Sequence, residues 1–214
     1  MMVAIFGPDG TGKTTLAKMI TRYLSSKGIK IAYIRFKSHH LAMYLMIRFL
    51  QKLSLIPLTN SPRILDYMLK RYFGRSRLYP YLELINGITW LFINVKVRKV
   101  LGVDVVVSER YIPDFLVSIL IISPNKKLLN NLYRILKPFM QNTVKIFLYA
   151  DVDDMLDRKK EEMLSRAYVY DLLRLYMYVA KIVGVDIYVN TSKHDKNEVF
   201  QVAKEFICNK VGKI

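Results

Sequence analysis

The 214-residue chain is 52% hydrophobic and 24% charged, and carries 34 Lys and Arg against 17 Asp and Glu. That composition excludes a disordered, collagenous or low-complexity chain, and a single cysteine, Cys208, excludes a disulfide framework or a cysteine-based zinc site. The charge is uneven: residues 1–150 hold 23 basic and 6 acidic side chains, residues 151–214 hold 11 of each, and the whole +17 therefore lies in the first part. A field of that sign draws polyanions, either nucleotide phosphates or nucleic acid.

The first short apolar run, Val3 to Phe6, reads as a buried strand. It leads directly into Gly7-Pro8-Asp9-Gly10-Thr11-Gly12-Lys13-Thr14, which satisfies the G-x-x-x-x-G-K-[ST] pattern between a strand and an amphipathic helix. Phosphate oxygens need many donors at short range. Glycines let the backbone come close, so that the N–H groups around Gly10 to Thr15 can converge on the anion from a helix N-terminus. Lys13 adds a mobile positive charge for the β- and γ-phosphates of ATP, and the Thr14 hydroxyl a ligand for Mg²⁺. Leu16, Ala17, Met19, Ile20, Tyr23 and Leu24 then follow helical spacing, closed by Gly28 just beyond Lys27.

Ile31 to Phe36 is the second strand, ending in Arg35-Phe36-Lys37. Residues 37 to 102 are long for one crossover and predict several helices around a loop from Pro57 to Pro62, with a helix start at Ser61-Pro62. Two stretches there approach the length of a membrane span. Leu41 to Leu58 contains Arg48, Lys52 and Pro57, and Leu78 to Val95 contains Pro80, Glu83, Asn86 and Gly87, so both read as buried helices instead. Trp90 and Tyr81 are expected to be buried with them. No secretory signal precedes the first strand, and with the lone cysteine this places the chain in the cytoplasm, a reducing compartment.

Val103 to Val107 is the third strand and runs into Ser108-Glu109-Arg110-Tyr111. In an open parallel sheet, ligands gather at the carboxyl ends of the strands. There Glu109 can hold Mg²⁺ and Arg110 can bridge two phosphates, unless the two form an ordinary surface ion pair. Val144 to Tyr149 is the fourth strand; Asp151 starts the next helix and is the competing metal-side acid. The run Asp157 to Arg166 reads either as a solvated helix with i,i+4 ion pairs or as a functional segment. The tyrosines from Tyr168 to Tyr178 fall at helical spacing and read mainly as core. Val185 to Val189 is the fifth strand, and Asn190-Thr191-Ser192 a turn after it.

The alternation of strands and helices predicts one α/β domain over residues 1–214. It reads as a parallel sheet wrapped by helices. Phe6-Gly7-Pro8-Asp9-Gly10-Thr11-Gly12-Lys13-Thr14-Thr15 resembles the phosphate loop of the thymidylate kinases and their wider group of nucleoside monophosphate kinases, which implies a three-layer P-loop NTPase fold with a five-stranded parallel sheet covered by helices on both faces. Ser108-Glu109-Arg110-Tyr111 resembles that family's Asp-Arg-Tyr motif with Glu for Asp, and Arg35-Phe36 resembles its Arg-Phe pair. Tyr176 to Asn190 with Thr191-Ser192 resembles its last helix, last strand and adenine-side loop.

The resemblance implies transfer of the ATP γ-phosphate, with Mg²⁺, to a nucleoside monophosphate, dTMP foremost. It gives Asp9 a bond to the acceptor sugar and Arg110 a contact with the acceptor phosphate and the transferring group. Arg35, with Lys37 standing in where the family has a second arginine and this chain has His39, completes the acceptor side. A lid over roughly residues 155–168 would supply a catalytic arginine, Arg158 or Arg166, because Gly10 occupies the loop position where some relatives carry one. No Arg or Lys occurs between Arg77 and Lys96, where the family reads thymine through an arginine, so the acceptor base stays open. A homodimer through the apolar Leu41 to Leu55 region is a further implication. Against this stand a nucleic-acid-binding ATPase, motivated by the basic first 150 residues, and a kinase-like chain with another acceptor.

Overall fold

In the computed structural model, which describes residues 1–36, 48–54, 79–160 and 164–211, the five apolar runs are five strands. They are β1 (Met2–Phe6), β2 (Ile31–Arg35), β3 (Val105–Glu109), β4 (Thr143–Tyr149) and β5 (Ile187–Asn190). All pairings are parallel, in the order β2-β3-β1-β4-β5. β1 is therefore the central strand, with β3 and β4 as neighbours, and the chain leaving its carboxyl end emerges where the strand order reverses. That is the position at which open α/β sheets bind ligands.

β1 is buried along its length because helices cover both faces, which explains why its sequence is a run and not an alternation. Val3 and Ile5 face one layer with Val107, Ile146 and Leu148; Ala4 and Phe6 face the other with Val106 and Phe147. On the first face lie α1 (Lys13–Ser26), through Leu16, Ile20 and Leu24, and the C-terminal helix (Lys196–Val211), through Val199, Ala203 and Ile207. The opposite face carries α2 (Tyr79–Leu91), α3 (Ile112–Ile122) and α4 (Lys126–Leu136). Between β4 and β5 come the short α5 (Val152–Asp157) and α6 (Arg166–Val183), so the C-terminal helix is α7. α3 is apolar nearly all round, as a helix enclosed between the sheet and other helices must be. Each fully buried aliphatic side chain of these two layers contributes about 1.5–3 kcal/mol.

The edge strands differ. β2 alternates buried and open positions, which turns Tyr33 and Arg35 to one side together. Its ladder continues past its end, since Phe36 N–H donates to the Glu109 carbonyl at 2.8 Å.

The expected helix Leu78 to Val95 is α2 followed by wider π turns at Phe92–Val97, but it is not buried as expected. One side packs inward through Leu84, Gly87 and Leu91, while Tyr81, Leu82, Ile85, Phe92 and Ile93 are exposed. Tyr81 is thus a surface residue, whereas Trp90 is partly covered and meets Phe36 edge-on at 4.5 Å. Tyr168 and Tyr170 are likewise exposed, and of that tyrosine run Tyr176 is the buried member. The run Asp157 to Arg166 is not one helix either: α5 stops at Asp157, and α6 starts at Arg166 with Ser165 capping it. Lys37, His39, the Ser61-Pro62 helix start and most of Leu41 to Leu58 lie outside the described residues. Among those described, no helix is long and apolar enough to cross a membrane.

Candidate active site

The turn after β1 is shaped by its glycines. Gly7 has φ 143°, and a Cβ there would sit 2.0 Å from the Leu148 carbonyl oxygen of β4, so only glycine fits. Gly12 takes a left-handed φ of 79° and begins α1 with no side-chain cap and no acidic residue in the first turn. The first amides of a helix have no intrahelical acceptor, and the helix dipole places partial positive charge there. An uncapped N-terminus facing the strand ends is suited to an anion. The Thr11 hydroxyl donates to the Pro8 carbonyl at 2.9 Å and stiffens the loop from within. Lys13 is buried; its Nζ donates to the Pro8 carbonyl and reaches Asp9 at 3.4 Å. Burial pushes the Lys13 pKa down, opposed by Asp9 and Asp114.

At the end of β3, Glu109 is buried yet fully engaged. Its Oε1 accepts the Thr14 hydroxyl at 2.7 Å and lies 3.3 Å from Arg35 Nε, while its Oε2 accepts the Tyr33 hydroxyl at 2.5 Å. Register explains the meeting: Ile5 and Arg35 are both paired with Glu109 across the sheet. Burial first, and then the bond to Glu109, push the Tyr33 pKa up to about 12. Hydroxyl and carboxylate oxygens side by side suit a hard cation, which Mg²⁺-binding proteins typically hold with one or two carboxylates plus substrate phosphates. No group of three or more His, Cys, Asp or Glu gathers among the described residues. Asp151, the competing acid, is exposed at the start of α5 and accepts from Asn190 Nδ2 at 3.4 Å; it is Glu109 that meets Thr14.

Arg110 follows with a left-handed φ of 65°. Its Nη2 donates to Asp9 Oδ1 in a short ion pair, and its Nε is buried without a hydrogen-bond partner among the described residues. An orphaned guanidinium donor between the phosphate loop and β3 fits an oxyanion. Burial alone would lower the Arg110 pKa, but Asp9 and Asp114 outweigh it and hold it above its usual value. For Asp9, burial raises the pKa while Lys13 and Arg110 together bring it below 3.8. Asp9, Lys13 and Arg110 thus form one cluster on the β3 side of the loop, with two cations sharing one half-exposed carboxylate.

On the other side of the loop is a cavity of about 360 Å³ lined by Gly10, Gly12, Thr15, Arg158, Thr191 and His194, among others. Arg158 spans it. Its Nη1 donates to the Gly10 carbonyl at 3.2 Å and to Thr191 Oγ1 at 3.0 Å, and its Nη2 to the Thr191 carbonyl at 2.8 Å. Arg166 stands elsewhere, in a cleft with Tyr149, Tyr170 and Met177, paired with Asp153 at 3.0 Å. The fold therefore brings Gly7, Asp9, Gly10, Thr11, Gly12, Lys13, Thr14, Thr15, Glu109, Arg110, Arg35 and Arg158 to the loop, and leaves Arg166 apart.

Three residues of this region were not expected from the sequence. Tyr33 had a signal in its two-residue spacing from Arg35, which puts both on one face of β2. Asp114 and Tyr176 had none, because their pairing at 2.9 Å joins positions 62 residues apart.

No protein-family model matches the chain, and no curated protein does. Among solved structures, the thymidylate kinase of Candida albicans superposes with a TM-score of 0.58 at 18% identity, covering 96% of this chain and 90% of that one. The YorR protein of Bacillus subtilis, solved in complex with phosphorylated GDP, gives 0.55 at 15% identity over 97% and 95%. A deoxyadenosine kinase of M. mycoides with bound dATP gives 0.52 at 15% over 97% and 99%. The chain has the P-loop NTPase fold, and these three structures share it.

Proposed function

We propose that this chain is an ATP-dependent nucleoside monophosphate kinase with a deoxynucleoside monophosphate, dTMP foremost, as acceptor. The observation that carries the reading is the division of the loop into two flanks. A cavity of about 360 Å³ lined by Arg158 lies on one side, and the Asp9, Lys13 and Arg110 cluster, with its orphaned Arg110 Nε, on the other. Two anionic substrates held on either side of Lys13 would meet over it, and phosphoryl transfer consists chiefly of such positioning and charge neutralisation.

In this reading, Gly7 to Thr15 hold the donor phosphates through backbone amides. Lys13 neutralises the oxygens nearest the transferred group. Arg110 grips the acceptor phosphate, and Asp9 turns to the acceptor sugar. Arg35 belongs to the same acceptor side, and Lys37 is assigned there too. Thr14 and Glu109 would hold Mg²⁺, which when bound neutralises phosphate oxygens. The thymidylate kinase and the deoxyadenosine kinase that share the fold support phosphoryl transfer to a nucleoside or nucleotide as the class of reaction. The test is turnover of ATP by the purified chain with each of the eight common ribo- and deoxynucleoside monophosphates. Turnover that needs a monophosphate, fastest with dTMP, is the expected result; none with any of them overturns the proposal.

A further inference from the structure

The left-handed backbone of Arg110 costs a residue with a side chain about 1–2 kcal/mol. Three hydrogen bonds hold it in place. Arg110 N–H donates to the Ile5 carbonyl at 2.8 Å, its carbonyl accepts the Ser108 hydroxyl at 2.6 Å, and Tyr111 N–H donates to Asp114 Oδ2 at 2.9 Å. The last of these depends on a single carboxylate from the first turn of α3. Asp114 is itself buried, and its Oδ1 accepts the Tyr176 hydroxyl, reached across from α6, at 2.9 Å.

A serine or asparagine could cap the same amide without a charge. Burying a full carboxylate is unfavourable unless hydrogen bonds and nearby cations compensate it. Burial raises the Asp114 pKa above 3.8, while Arg110 and Lys13, the same two cations that Asp9 contacts, and the bonds from Tyr111 and Tyr176 work against that rise. The two acids differ in one respect. Asp9 is about half exposed and can swing toward a substrate; Asp114 is enclosed, with both oxygens committed.

We propose that Asp114 is the positioning residue of Arg110. Oriented by Tyr176, it clamps the turn that carries the guanidinium and holds that turn in place when Asp9 leaves Arg110 for substrate. This rests on the kinase reading in so far as the anion gripped by Arg110 is an acceptor phosphate. Asp114 itself touches no substrate and acts through Arg110.

The experiment uses the full chain, Asp114→Ala and Tyr176→Phe, each alone and combined with Arg110→Ala. Binding of dTMP, dCMP, dAMP and dGMP, and of a non-hydrolysable ATP analogue, is measured by calorimetry. Asp114→Ala is expected to weaken monophosphate binding about tenfold and ATP-analogue binding less than about twofold, with no further loss in the Arg110→Ala background. Should Asp114→Ala not fold, Tyr176→Phe carries the same test with a loss of about threefold. No weakening, or the same weakening without Arg110, overturns the assignment. If the unmodified chain binds none of the four monophosphates, the kinase reading falls, and the NMR signal of Arg110 Nε–H in the free chain decides the positioning role. A shifted or broadened signal in the variant supports it, and a coincident one overturns it.

Discussion

Thr14 donates its hydroxyl hydrogen to Glu109 Oε1 at 2.7 Å, although 95 residues separate them in the chain. The first turn of α1 and the end of β3 thereby present adjoining oxygens beside the phosphate loop, and Tyr33 and Arg35 fix the carboxylate from β2. If this pair holds the cation, Glu109→Gln raises the Mg²⁺ concentration needed for half-maximal turnover by about tenfold or more. Asp151→Asn leaves it unchanged. The reverse ranking in a Mg²⁺ titration would move the metal role to Asp151.

Lys13→Ala is expected to lower kcat on the order of 100-fold or more, the scale of removing one preorganised charge from a transition state. The variant should keep its fold, because Asp9 retains Arg110 as a partner. Paired kinetics and far-UV circular dichroism check this. Full activity in a folded variant would refute the role.

Arg158 and Arg166 are separable. Arg158 links the Gly10 carbonyl to Thr191 beside the cavity next to the loop, whereas Arg166 pairs with the exposed Asp153. Arg158→Ala should raise the KM for ATP about tenfold, the loss of one charge-assisted contact. Arg166→Ala should change it by less than about twofold, as exposed ion pairs contribute little. Initial-rate kinetics over a range of ATP concentrations decide between them.

Gly7→Ala and Gly28→Ala contrast two glycines of positive φ. A Cβ at Gly7 meets the Leu148 carbonyl oxygen at 2.0 Å, while at Gly28 it meets nothing within 4 Å. Urea denaturation should show a loss of about 3 kcal/mol or more for the first. For the second the loss should be about 1 kcal/mol, backbone strain alone.

Asp9 makes part of the stability depend on pH. Burial works against its charge, but Lys13 and Arg110 prevail, so its folded pKa lies below 3.8. The unfolded chain therefore takes up the proton first as pH falls. The stabilisation is present above about pH 4 and disappears as pH drops through the folded value. Asp9→Asn should flatten that portion of the acid limb in denaturation measured from about pH 5 to pH 2. An unchanged slope would show that the pair contributes nothing.

Much of this architecture is local and therefore legible along the chain. Unbroken apolar runs such as Val3 to Phe6 mark doubly covered strands, because only a strand buried on both faces dispenses with polar positions. The phosphate loop is legible for the same reason: glycine at 7, 10 and 12 and lysine at 13 answer to backbone geometry within eight residues. The end of α5 at Asp157 and the start of α6 at Arg166 were not, since the charge spacing of Asp157 to Arg166 fits one continuous helix as well. Nor was the surface position of Tyr81, because helical spacing fixes which residues share a face but not what lies opposite.

What the amino-acid order determined by itself was the five strands, several of the helices that flank them and a glycine-bearing turn at the end of the first strand, through sterics and spacing that operate over a few residues. What the tertiary structure alone decided was the company kept at that turn: Glu109 with Thr14, Arg110 with Asp9, and Asp114 with Tyr176. Those pairs arise from parallel register and from helices crossing the sheet, and each joins residues 62 to 101 positions apart. Contacts at such separation depend on how the whole sheet assembles, which no short window of sequence encodes.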